Sequence, residues 1–103
     1  MKEDRIKNLL QASKSAGPLT VGFVLVPNFS MLAFASALEP LRAANRMSGQ
    51  NLFSWVISSP TGAAPEASNG VRVHVQGTPE MLQDCRLVFV CAGLEVKAHT
   101  DKE

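Results

Sequence analysis

LTVGFVLV, residues 19–26, is the stretch whose reading decides the fold. It is rich in β-branched residues and apolar on both faces. That is the pattern of a strand buried inside a parallel sheet, where both faces are covered. A half-buried antiparallel strand would alternate apolar and polar instead. Pro27-Asn28 stops it, since proline cannot donate to the ladder. The run is far short of the ~20 residues that cross a bilayer.

Outward toward the C-terminus, Ser30 to Arg46 carries the helical period, with Met31, Phe34, Ala35, Leu38, Leu41 and Asn45 on one stripe. Ser30 reads as the N-cap, and Ser48-Gly49 closes the far end. Pro40 is the anomaly. Inside a helix it leaves the Ser36 carbonyl without its usual donor, at ~3 kcal/mol unless compensated. The stripe stays in phase beyond it, so a kink near Ser36 to Pro40 is expected rather than a break.

Leu52 to Ser58 (LFSWVIS) is a second strand, ended by the turn at Ser59-Pro60-Thr61-Gly62. Asn69-Gly70 is a hairpin signal. Val71, Val73 and Val75 alternate with Arg72, His74 and Gln76, which predicts a strand with one wet face at an antiparallel edge. Thr78-Pro79-Glu80 opens a short helix: a hydroxyl cap, a proline at the first helical position, then an acid at the positive end of the dipole. Arg86 to Cys91 (RLVFVC) is a third buried strand, followed by Ala92-Gly93 and a polar tail, Glu95 to Glu103.

In the other direction, residues 1–18 form an extension. Ile6, Leu9 and Leu10 recur at helical spacing, so Asp4 to Ser13 reads either as a short amphipathic helix or as a frayed tail. Residues 19–103 hold the alternation of strands and helices. This predicts an α/β fold, a partial three-layer α/β/α sandwich with a mainly parallel sheet and an antiparallel hairpin. Such a sandwich needs cover on both sheet faces, and one long helix does not supply it. The architecture therefore reads as the front part of a larger domain, or as a short protein that completes its sheet by dimerising.

Composition bounds the function. The 103 residues carry ten basic and nine acidic side chains, a formal net charge of +1. That gives no general attraction to nucleic acid or anionic membrane. Cys85 and Cys91 lie six residues apart; along a strand this approaches 20 Å, too far for a disulfide. Both read as reduced thiols of a cytoplasmic protein. No metal spacing, phosphate loop or dinucleotide fingerprint is present, so neither metal nor cofactor is expected.

Four pieces, taken in order, carry a resemblance: GFVLVPNFSMLAFASALEPLRAANR (22–46), SSPTG (58–62), ASNGVRV (67–73) and FVCAG (89–93). Together they resemble the opening of GlxA-type regulators, which pair a PfpI-like domain with a C-terminal AraC-type helix-turn-helix domain. The match runs from about Leu19 to the C-terminus. The resemblance implies a class I glutamine amidotransferase-like fold, dimerisation, and a small-molecule effector: a quaternary or methylated amine such as carnitine or glycine betaine, or an amino acid such as arginine. The nucleophilic cysteine of PfpI-like enzymes sits on a later strand-to-helix elbow, and the acid that accompanies it aligns with Ala33. Alanine can neither polarise a thiol nor shuttle a proton. The resemblance thus implies binding rather than catalysis. A fragment of a PfpI-like cysteine hydrolase or amidotransferase is the alternative. With no helix-turn-helix in the chain, direct DNA binding is not expected of it.

The candidate ligand-binding residues follow from the α/β rule that ligands collect beyond the carboxyl ends of strands where strand order reverses. They are Asn28 and Phe29 after the first strand, and Cys91, Ala92 and Gly93 at the end of the third. Asn28 offers two donors and an acceptor, Phe29 a π-face for a cationic amine, and Gly93 close access to the backbone. Each has a plainer role to set beside it: a turn asparagine, a packing phenylalanine, a structural cysteine. Glu39 and Arg42 are spaced to pair on a helix surface. His74 and His99 have no partner that makes a triad or a metal site, and Trp55 reads as core.

Overall fold

The computed structural model describes residues 17–93, so the expected helix at Asp4 to Ser13 and the tail lie outside the described residues. Strand β1 (Leu19–Leu25) is followed by helix α1 (Met31–Ser48), strand β2 (Phe53–Ser58), a short 3₁₀ turn (Pro79–Leu82) and strand β3 (Leu87–Cys91). The sheet order is β2-β1-β3, and both pairings are parallel. β1 is therefore central, as its two apolar faces require. Val21, Phe23 and Leu25 are buried on the face that α1 covers, and Phe34 of α1 sets its ring edge-on to Phe23 at 5.4 Å.

Helix α1 runs unbroken through Pro40. Ser36 and Pro40 both lie on the exposed side of the helix, where water is at hand to replace the missing donor. The Ser30 hydroxyl accepts from the Ala33 amide at 3.1 Å, and Gly49, in the left-handed region at φ 67°, ends the helix. Glu39 and Arg42 pair on its surface at 2.7 Å.

The opposite sheet face is narrow and partly covered. A side chain at Gly22 would press on Leu82 and Cys85, so this glycine lets the 3₁₀ turn lie close against β1. Val88 and Val90 on β3 remain exposed.

The expected strand at Val71 to Gln76 does not form. Its hairpin is confined to one antiparallel bridge, Glu66 to Arg72, around a three-residue loop. The Gly70 amide donates to the Ala67 carbonyl and Gly70 takes φ 88°, while Asn69 keeps negative φ. That is the hairpin type closed by one left-handed glycine, not the two-residue turn. The alternation survives only as graded burial, with Val75 buried, Val73 half-buried and Val71 exposed. The segment then meets β2 through a parallel bridge, Ser58 to Gly77, instead of forming an antiparallel edge. The Gln76 side chain takes one backbone partner of β2, which leaves no room for a regular ladder.

Candidate functional site

The tips of β1 and β3 meet on one rim. Beyond β1 the pairing continues for one residue, with the Val26 amide donating to the Cys91 carbonyl at 3.0 Å. Asn28 then reverses the chain at φ 71°, the one non-glycine residue in the left-handed region among the described residues. Asparagine tolerates that region better than other side chains do. The Ser30 amide donates to the Ala92 carbonyl at 3.3 Å. Gly93 lies so close that a Cβ on it would fall onto the Asn28 carbonyl. Because β1 is flanked by β2 on one side and β3 on the other, this rim is where strand order reverses.

The five candidates occupy different levels of the rim. Asn28 and Gly93 are half-buried and Ala92 is exposed, so these three line its surface. Phe29 and Cys91 lie beneath. Phe29 is fully out of solvent, with its ring edge-on to Phe34 at 6.1 Å. Burial pushes the Cys91 thiol above its ordinary range. Burial, with Asp84 adding repulsion, does the same at Cys85. Neither environment favours the thiolate that nucleophilic chemistry uses. Ala33 is exposed on the first turn of α1, which carries no acid.

A third wall was not legible in the sequence. The Glu66 carbonyl accepts from the Asn28 amide at 2.8 Å, and the Ser68 amide donates to the Phe29 carbonyl at 2.9 Å. Asn28 and Phe29 are thus held between the 66–68 segment on one side and Ala92 on the other. The hairpin signal at Asn69-Gly70 fixed the turn but not where it docks. Pro65 and Ala67, the apolar residues on either side of Glu66, prove to be buried, but a small alanine and a proline in a turn-rich segment give no sign of a docking surface. The charged groups of this wall are Glu66 and Arg72, a loose exposed pair at 3.9 Å.

The left-handed backbone at Asn28 can be tested directly. Asn28→Ala is expected to lose about 1 kcal/mol, the penalty for a Cβ residue in that region. Asn28→Gly should lose less. Thermal unfolding would check the order Asn, then Gly, then Ala; an alanine variant more stable than the glycine one would show that the turn is not held as described.

Among the described residues no helix is long and apolar enough to cross a membrane, and no cluster of three or more His, Cys, Asp or Glu could hold a metal. No family model matches the chain. It is 40% identical over 84 residues to the HTH-type transcriptional regulator GlxA of Rhizobium meliloti, which covers 82% of this chain and 26% of the relative. It is 45% identical over 73 residues to the HTH-type transcriptional regulator CdhR of Pseudomonas aeruginosa, covering 71% and 21%. The chain thus spans about a quarter of the length of these relatives. Among solved structures, an AraC family transcriptional regulator from Pseudomonas putida superposes with a TM-score of 0.68 at 28% identity, over 75% of this chain and 42% of that one. A DJ-1 superfamily protein from Agrobacterium tumefaciens, at 22% identity and a TM-score of 0.57 over 79% and 41%, shares the fold.

Proposed function

We propose that this chain, which belongs to the GlxA-type group of AraC-class regulators and carries part of their DJ-1/PfpI-like domain, is the effector-sensing module of such a regulator. The observation that carries the proposal is the convergence of two parallel strand tips at the reversal of strand order, with Asn28 held in the left-handed region and Gly93 bare against its carbonyl. Such a rim offers fixed backbone groups and close approach. Asn28, Ala92 and Gly93 would touch the effector, and Phe29 and Cys91 would form the floor. The effector class we favour is a methylated or quaternary amine, or an amino acid. No ionised side chain stands among the five residues, so recognition of a cation would rest on main-chain carbonyls and on the Asn28 side-chain oxygen.

In this reading the module, residues 19–103 with 1–18 as an extension, works in the cytoplasm as part of a dimer. The effector shifts the population of dimer arrangements, as any ligand with unequal affinity for two states must. The module binds without catalysing. The buried Cys91 and the alanine at position 33 support this over the cysteine-hydrolase alternative. DNA contact is left to another part of the regulator.

Calorimetric titration of the intact protein with carnitine, glycine betaine and arginine is the test. Saturable heat with one of them, lost in an Asn28→Gly variant that still folds, is the expected result. No heat with any of the three would remove the amine and amino-acid reading and leave the fold as it stands.

A further inference from the structure

The two edges of the sheet are not equivalent. In a parallel sheet alternate residues of a strand aim their backbone groups at opposite neighbours. The Leu19 amide bonds the Leu52 carbonyl, so Leu52, Ser54, Val56 and Ser58 face β1, and Phe53, Trp55 and Ile57 face away. These outward groups would be a template for another strand. Two of the three are already taken. The Asn45 side chain, near the end of α1, donates to the Phe53 carbonyl at 2.8 Å and accepts from the Phe53 amide at 2.9 Å. At the other end the Gln76 side chain accepts from the Ile57 amide at 2.7 Å, and the Gln76 amide donates to the Ile57 carbonyl, also at 2.7 Å. Two residues beyond Ile57, the Ser59 amide donates to the Gly77 carbonyl.

We infer that Asn45 and Gln76 are edge stops: their carboxamides stand in for a fourth strand on β2 and bar that edge from pairing with another polypeptide. A primary amide suits the task because it carries a donor and an acceptor on one planar group, as a peptide does. Asn45 uses both halves on one residue. Gln76 uses its side-chain acceptor together with its own main-chain N–H. The gap between the stops is a single residue, Trp55, too short for a ladder to start. Asn45 belongs to the apolar stripe of α1 by position, and a carboxamide there has no packing advantage over leucine; its bonds to Phe53 supply the reason for it. This inference does not depend on the sensor reading, since no rim residue takes part.

The test separates the edge bonds from mere bulk. In Gln76→Glu the acceptor for the Ile57 amide remains, whereas Gln76→Leu keeps similar size and loses it. Asn45→Leu likewise removes both bonds to Phe53. Sedimentation and amide hydrogen exchange of the whole chain would be followed over a range of protein concentration. Gln76→Glu is expected to match the parent chain. The Asn45→Leu, Gln76→Leu double variant is expected to sediment as larger species than the parent at equal concentration. At low concentration its Phe53 and Ile57 amides should exchange about tenfold faster, one hydrogen bond's worth. At high concentration its Trp55 amide should gain protection that the parent's lacks. Association that protects β3 amides instead, or a double variant with the parent's size and exchange pattern, would overturn the inference. If the double variant does not fold, the Gln76 pair decides it: equal behaviour of glutamate and leucine at position 76 would overturn the role of the bond.

Discussion

Phe23→Ala is expected to leave the chain with little or no cooperative unfolding transition. Phe23 sits at the middle of the central strand with no exposed surface. Its ring stacks on Phe89 of β3 at 5.4 Å and meets Phe34 of α1 edge-on at the same distance. It is the side chain at which edge strand, central strand and helix touch. Truncating a buried phenylalanine to alanine costs about 3–5 kcal/mol, transfer and cavity together. A chain of this size has about 5–15 kcal/mol of stability in total at best, and the exposed Val88 and Val90 place it toward the lower end. Thermal or urea denaturation followed by circular dichroism checks this. Phe89→Ala, on a half-buried edge position, is the control and should lose less. A Phe23→Ala midpoint within two or three degrees of the parent (~0.5 kcal/mol) would mean that the three elements do not share a core at this residue.

Gly93→Ala should act on the rim. The obstacle is a main-chain carbonyl, that of Asn28, which cannot rotate aside as a side chain would. Either the tip of β3 or the turn at Asn28 must move. Movement of the first breaks the bond between Ser30 and Ala92; movement of the second breaks those from Asn28 to Glu66 and from Ser68 to Phe29. Overpacking of this kind costs about 1–3 kcal/mol, or roughly 5–15 °C in melting temperature for a domain of this length. Gly22→Ala provides the contrast, because the atoms it meets belong to the flexible Leu82 and Cys85 side chains. Amide exchange at Ser30 and Ser68 would localise the effect. If Gly93→Ala melts as the parent does, with those two amides unchanged, the tips are not in contact.

What the sequence disclosed, and what it hid, follows from how far apart the interacting residues lie. β1 was readable because eight consecutive residues are apolar or β-branched, and α1 because its stripe and caps are local. The Ser30 cap spans three residues and the Gly49 stop needs only its own φ. The meeting of Asn28 with Gly93 came from a topological rule applied to strand ends, and the parallel order β2-β1-β3 agrees with it. The hairpin segment was harder. Val71, Val73 and Val75 carry the period of a strand, but Gln76 spends its side chain on Ile57, a partner nineteen residues away. The role of Asn45 was hidden for the same reason. By period it sits in an apolar stripe, and only the position of Phe53 explains why a carboxamide stands there. Docking of Glu66 and Ser68 on Asn28 and Phe29 joins segments almost forty residues apart, which no periodicity records.

Placing the first of the described strands at the centre also sets a timetable for synthesis. Val21 pairs with Trp55 and with Leu87, so its second neighbour lies 66 residues downstream (87 minus 21). At about 5–20 residues per second on the ribosome, the greasiest segment of the chain waits roughly 3–13 s for that neighbour to be made. Helix α1 can coil within a microsecond of emerging, but it shields one side alone. Until β3 is made, one edge of this strand stays unpaired, and it is in this interval that chaperones would matter most to its yield.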